Sequence, residues 1–286
     1  MNAVATAPLR RVARIIQGNP TSDGDGVRLT RMLDPRLAAQ ADPFLLFDEF
    51  RSDKPGDYIG GFPPHPHRGF ETVTYMMAGH MRHGDNKGNT GDLGPGSAQW
   101  MTAARGIVHE ERPQQENGLM WGYQLWVNLP AAEKMGEPVY QDIAAENIPE
   151  AKLPDGTRVR VITGEFAGVR GPVRPRTTEP IYLDVQLPAN GEFRYTPPKG
   201  HTTLLHGIEG ELRFTGEDDG RALHPKEMAL LSSEGEVVVK AGNASARFLL
   251  IAGKPIREQI AHYGPFVMNT REEIMQAARD FESGRF

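Results

Sequence analysis

An all-β chain of two related barrels is the class that this sequence predicts, and two observations predict it. Strand-length segments of alternating or continuous apolar character are set apart by turn clusters, with 32 glycines and 23 prolines among 286 residues. The chain also repeats itself at a constant offset of 131 residues, which lays Pro197 on Pro66, Gly200 on Gly69, Thr203 on Thr72 and Gly210 on Gly79.

Taken in order, residues 1 to about 11 carry no pattern and are expected to be disordered. Val12–Gln17 reads as a first strand, Gly18–Gly26 as a turn-rich loop, and Val27–Leu33 as an alternating strand. Phe44–Phe50, Thr72–Met77, Gln99–Ala103 and Trp121–Leu129 read as further strands, with Asp85–Gly96 as a loop. Ala131–Tyr140 contains a helix-compatible Ala-Ala-Glu-Lys-Met, and Gln141–Glu150 is acidic and ends near proline. The expected division is therefore an N-terminal barrel over 1–130, a linker over 131–150 and a C-terminal barrel over 151–286. In the second half Thr157–Thr163 and Phe248–Ala252 are strands. A helix closes the chain from Thr270 to Glu282, because Thr270 and Glu273 make a capping box and Ile274, Ala277, Ala278 and Phe281 recur at helical spacing. Its apolar face is expected to pack on barrel surface.

Composition bounds the function. Apolar residues make up 38% and charged residues 24%, as in a globular protein. A net charge of -5 gives no basic footprint for direct nucleic-acid binding. No run is long and apolar enough for a membrane helix, and Arg10, Arg11 and Arg14 are not followed by a signal-peptide core. With no cysteine there is neither disulfide nor thiolate chemistry, which suits a reducing cytoplasm.

Five of the nine histidines fall between Gly61 and Pro113: His65, His67, His80, His83 and His109. His65 and His67 form a His-x-His, and His109 with Glu111 forms a His-x-Glu. Residues two apart on a strand share a face, so each pair aims one way. Two such strands meeting across a barrel wall could bring three imidazoles and a carboxylate to one point, a donor set for iron, manganese, nickel, copper or zinc. The competing reading of His-Pro-His is a polar turn, since proline prefers edges and bulges. Glu71, four residues beyond His67, is an alternative ligand, and Glu110 is a register rival to Glu111. His80 and His83 are expected to be exposed or structural. His201, His206, His224 and His262, without paired spacing, read as ordinary histidines. Arg68 and Arg105 flank the pairs and read as loop caps before anion holders. Gln99, Trp100 and Met101 are candidates for the barrel lining.

The runs HPHRGFETVTY, QWMTAARGIVHEE, QLWVNLP and GPFVMNTREEI, in that order over most of the chain, resemble the pirin family of bicupins. The resemblance implies two stacked jelly-roll β-barrels with a C-terminal helix. It implies a metal held by His65, His67, His109 and Glu111 in the first barrel, Fe(2+) foremost, with Zn, Mn, Ni, Co or Cu as alternatives. The offset puts Thr196 and Pro198 at the places of His65 and His67, and Lys240 loosely at that of His109, so the second barrel should lack a metal. The implied activity is that of a quercetin 2,3-dioxygenase, opening a flavonol or enediol with dioxygen, with Glu111 as base. The alternative is a non-enzymatic metal-binding regulator whose partner is a transcription factor or metabolic enzyme.

Overall fold

The computed structural model describes residues 8–174, 176–218 and 220–286. It is the expected all-β fold, and the chain forms two compact units, each discontinuous in sequence. The first unit comprises Asn19–Ile148 with Ile256–Phe286, and the second the described part of Met1–Gly18 with Pro149–Pro255.

Both units have the same plan, a seven-stranded and a four-stranded antiparallel sheet. In the first unit the larger sheet runs Val139–Ile143, Ala98–Thr102, Phe70–Ala78, Met120–Asn128, Phe44–Ser52, Val27–Leu33, Asn19–Asp23. In the second it runs Val12–Gln17, Glu227–Leu231, Thr202–Glu209, Ala246–Gly253, Ile181–Leu187, Arg158–Thr163, Glu150–Lys152. The smaller sheets also correspond: Phe62–His67, Ile107–Pro113, Met81–Asp85, Thr90–Leu93 in the first, and Glu192–Tyr195, Val237–Ala241, Leu212–Phe214, Ala222–Leu223 in the second. The repeat seen in the sequence is thus a repeat of strand order.

The divisions at 130 and 150 are corrected by pairing. Val139–Ile143, expected in a linker, hydrogen-bonds to Ala98–Thr102 and completes the first unit's large sheet. The preceding segment forms turns in place of a helix, and Lys134 fixes it: the buried ammonium donates to Gly69 O and Asn128 Oδ1 at 2.6 Å and to Val267 O at 3.0 Å. Val12–Gln17 pairs with Glu227–Leu231 of the second unit, with Val12 buried in that unit's core and Ile15 packed against it. It covers an edge that would otherwise present unpaired backbone groups. Of the terminus expected to be disordered, residues 1–7 lie outside the described residues. Arg10 is fixed: it is buried and donates to His201 O, Thr203 Oγ1 and Ser232 O. Strands also occupy the two expected loops, at Asn19–Asp23 and Thr90–Leu93.

The helix Arg271–Glu282 starts at the expected capping box and belongs to the first unit. Ile274 and Ala277 are buried with Phe266, Met268 and Phe286, and Val108 packs against the same cluster. Phe281, although in phase, is exposed. An ion pair ties this helix to the strand ahead of it: Arg68 Nη1 lies 2.8 Å from Asp280 Oδ2, and the Phe286 ring covers the guanidinium at 4.3 Å. The two side chains are 4% and 13% exposed, so breaking the pair strands a buried cation.

Asp280→Asn should therefore cost roughly 3 kcal/mol, the scale for removing one partner of a buried pair. In a unit of this size that is a fall in Tm of about 6–12 °C by calorimetry. Hydrogen bonds from Arg68 and Arg285 hold the Asp280 carboxyl below its ordinary 3.8. Its contribution is complete above the unfolded value and is lost as pH falls through the lowered one. The difference in Tm between variant and wild type should shrink in acid, and an equal gap at all pH values would contradict the assignment.

Candidate metal centre

Phe62–His67 contains three prolines, which a strand can hold only where its N–H groups are not all required. It stands at the edge of its sheet with Ile107–Pro113 as its one neighbour, so the prolines remove nothing that a second neighbour would need. In that pairing His65 lies directly opposite His109, and His67 opposite Ile107. Period-2 alternation puts all three imidazoles on one face. Their ring centroids are 4.3 Å apart for His65 and His109, 4.7 Å for His65 and His67, and 5.0 Å for His67 and His109. One nitrogen of each lies within 4.8 Å of one nitrogen of each of the others. Among the described residues this is the one group of three or more such side chains so disposed.

The surroundings keep His67 and His109 neutral. Phe70 and Trp126 pack edgewise on His67 at 5.0 and 5.2 Å. Burial, then the neighbouring imidazoles, push the pKa values of His67 and His109 well below the ordinary histidine value. Neutral imidazole is the form that ligates a metal. His109 is 1% exposed, and neither of its ring nitrogens has a hydrogen-bond partner. Buried polar atoms of this kind are costly unless something satisfies them, and a divalent ion accepting one lone pair from each ring would satisfy one nitrogen of His109. The residues present fit a metal.

Glu111 stands two residues beyond His109 on the same strand, but outside the close group. The pairing with Phe62–His67 slips between His109 and Glu111, so that Glu111 meets Phe62. Its buried carboxylate accepts from Thr74 Oγ1 and Gln124 Nε2, both at 3.2 Å. The rivals are accounted for elsewhere. Glu71 is buried and accepts from Thr102 at 2.6 Å, while Glu110 accepts from Arg112 at 2.8 Å at the surface. His80 is exposed. His83 is buried and structural, with Nε2 3.0 Å from Asp142 and its ring stacked on Tyr140 at 5.5 Å. Arg68 is engaged by Asp280 and Arg105 by Glu137. Gln99, Trp100 and Met101 are all buried, and Gln99 donates to Asp142.

A cavity of about 720 Å³ opens beside the cluster, lined by His65 and His67 and by side chains that the spacing rules did not single out. Trp126, Phe62 and Leu46 give apolar walls, and Gln124, Arg31 and His262 give polar ones. Arg31 is held in place by two bonds to Asp48, at 2.8 and 2.7 Å. His262, read from sequence as an ordinary histidine, lines this cavity 6.1 Å from the Trp126 ring. In the second unit the matching strands carry Phe193, Val237 and Val239, all buried in an apolar core.

Comparison with known proteins agrees over nearly the whole chain. Residues 26–127 match the Pirin family profile, and residues 182–286 match that of the Pirin C-terminal cupin domain. A Pseudomonas aeruginosa protein, provisionally named as a quercetin 2,3-dioxygenase, is 50% identical over 279 residues, covering 96% of this chain and 97% of that one. Human pirin is 42% identical, with 96% and 93% covered. The crystal structure of a quercetin 2,3-dioxygenase from Acinetobacter baumannii superposes with a TM-score of 0.90 at 37% identity, covering 98% of this chain and 99% of that one.

Proposed function

Since this chain belongs to the pirin family, we propose that it is a metal-dependent dioxygenase that opens a flavonol or related enediol with dioxygen, as quercetin 2,3-dioxygenase does. The observation that carries the proposal is the convergence of His65, His67 and His109, with both nitrogens of buried His109 unsatisfied by the protein. Among the described residues, no helix is long and apolar enough to cross a membrane.

A divalent ion on these nitrogens, Fe(2+) in the first instance, would supply Lewis acidity and access to dioxygen. The remaining work belongs to the chain. The three histidines fix the donor positions, and Phe70 and Trp126 keep water from His67. Glu111 would serve as fourth ligand or as base: exchanging the bonds from Thr74 and Gln124 would free its carboxylate to bind the ion or to accept a substrate hydroxyl proton. The cavity of about 720 Å³ lies within the range of small-molecule sites. A flat polyphenol would lie against Trp126, with Arg31 and His262 within the same walls.

A second reading uses the same ligands without turnover: a metal-binding regulator whose partner is a protein, a transcription factor or a metabolic enzyme. The 42% identity to human pirin, whose name carries no activity, favours it. Oxygen consumption separates the two.

Metal analysis of the purified protein should find one divalent ion per chain, and His109→Ala should lower that content at least about 10-fold. With quercetin, the metal-loaded protein should consume oxygen. Absence of uptake with each of iron, manganese, nickel, cobalt and copper, at full metal occupancy, would leave the regulator. Glu111→Gln should reduce turnover by about 10²-fold or more while losing less metal than His109→Ala. Unchanged turnover would remove Glu111 as the base.

A further inference from the structure

Glu111 comes to the site from the first unit's small sheet, and the large sheet presents two donors to it. Thr74 and Gln124 stand directly opposite each other in the ladder, and they donate to Oε1 and Oε2 of the Glu111 carboxylate, each at 3.2 Å. Both oxygens are thereby held, and with them the plane of the carboxylate. The Gln124 amide is itself oriented by a second partner. Trp126 lies two residues further along Met120–Asn128, on the same face, and its Nε1 donates to Gln124 Oε1 at 3.2 Å. An indole N–H can only donate, so the amide turns its oxygen to Trp126 and its NH2 to Glu111. The indole is fixed in turn by Phe70 at 4.3 Å and by His67 at 5.2 Å. Gln124 and Trp126 also line the cavity, so the carboxylate is aimed from the wall that a substrate would meet. Resting on the reading of Glu111 as ligand or base, we propose that Gln124 and Trp126 are its positioning residues, the indole N–H setting the amide and the amide setting the carboxylate.

The sequence repeat supplies an internal control. At the offset of 131 residues Leu205 stands at the place of Thr74. Leu205 pairs with Leu250 as Thr74 pairs with Gln124, and Thr203 pairs with Ala252 as Thr72 pairs with Trp126. Leu205, Leu250 and Ala252 are all buried in the second unit's apolar core. The fold therefore needs neither the two donors nor the indole at these places. They occur in the unit that carries the three histidines, where a carboxylate has to be aimed.

The test is ¹H–¹⁵N NMR of the indole N–H groups in the full chain loaded with zinc, with turnover of quercetin as a second readout. The chain has three tryptophans, and the Trp126 signal is the one lost in Trp126→Phe. Glu111→Gln should move the Trp126 signal and leave that of Trp121, which donates to Glu49. In a Gln124→Leu background the same Glu111→Gln change should no longer move it. Trp126→Phe keeps an aromatic ring on the wall and removes the N–H, so kcat should fall about 10-fold with KM unchanged. Joined to Glu111→Gln, it should lower kcat no further than Glu111→Gln alone. A Trp126 signal that ignores Glu111→Gln, or that still answers it in Gln124→Leu, overturns the proposal. So does an unchanged kcat in Trp126→Phe, or a loss that adds in full to that of Glu111→Gln, as packing alone would give. Signals that move as expected in a protein that consumes no oxygen with quercetin uphold the positioning and remove the dioxygenase reading by itself.

Discussion

The pairing of one edge strand with its single neighbour is the constraint on which the site depends. Among the described residues, Phe62–His67 has Ile107–Pro113 as its one neighbour in the sheet, and their register sets His65 against His109. Shifting that register by one residue would turn the facing histidines to opposite sides. The strand is therefore anchored beyond its own hydrogen bonds. Gly69, just after it, sits at φ +90°, and a Cβ there would lie 1.9 Å from Val267 O. Between His67 and that glycine, Arg68 is bound to the terminal helix through Asp280. The C-terminal segment thus holds in place the strand that bears His65 and His67.

Much of this was legible in the sequence, because alternation and ligand spacing are both properties of a strand. His65, His67 and His109 were readable from period 2 and meet as expected, and the helix was readable from its capping box. What was not legible depends on partners distant in sequence. Nothing local tells that Val12–Gln17 joins the second unit, because an edge strand reads alike whichever sheet it joins. Val139–Ile143 looked like linker because it joins a helix-compatible Ala-Ala-Glu-Lys-Met to an acidic stretch that ends near proline, and only pairing with Ala98–Thr102 orders it. The place of Glu111 turns on a register slip, which leaves no mark on spacing. Trp126 and His262 come to the cavity from separate elements, and neither has a neighbour of its kind at a telling interval.

The two units separate the requirements of the fold from those of the chemistry. Their strand order is the same, so the fold does not need the histidines. In the second unit Phe193, Val237 and Val239 fill the space between the sheets on the corresponding strands, where burial of apolar surface stabilises directly. In the first, that space goes to three imidazoles whose burial is unfavourable unless they are satisfied. Stability has been given up there, which is the expected mark of a functional position.

That contrast bears on why the three histidines sit on strands and not on loops. A site that must bind one ion with three fixed nitrogens needs donors placed to within a fraction of an ångström. Paired strands provide this, since their side-chain directions follow from the backbone ladder. The cost is a dry environment in which each nitrogen must find a partner, and Phe70 and Trp126 enforce that dryness at His67. His65 is the exception, half-buried and lining the cavity. It joins the dry side, where the ion would be held, to the wet side, from which a substrate would arrive. In the second unit the matching strand pair is hydrophobic core, and the same strand order is kept without the histidines.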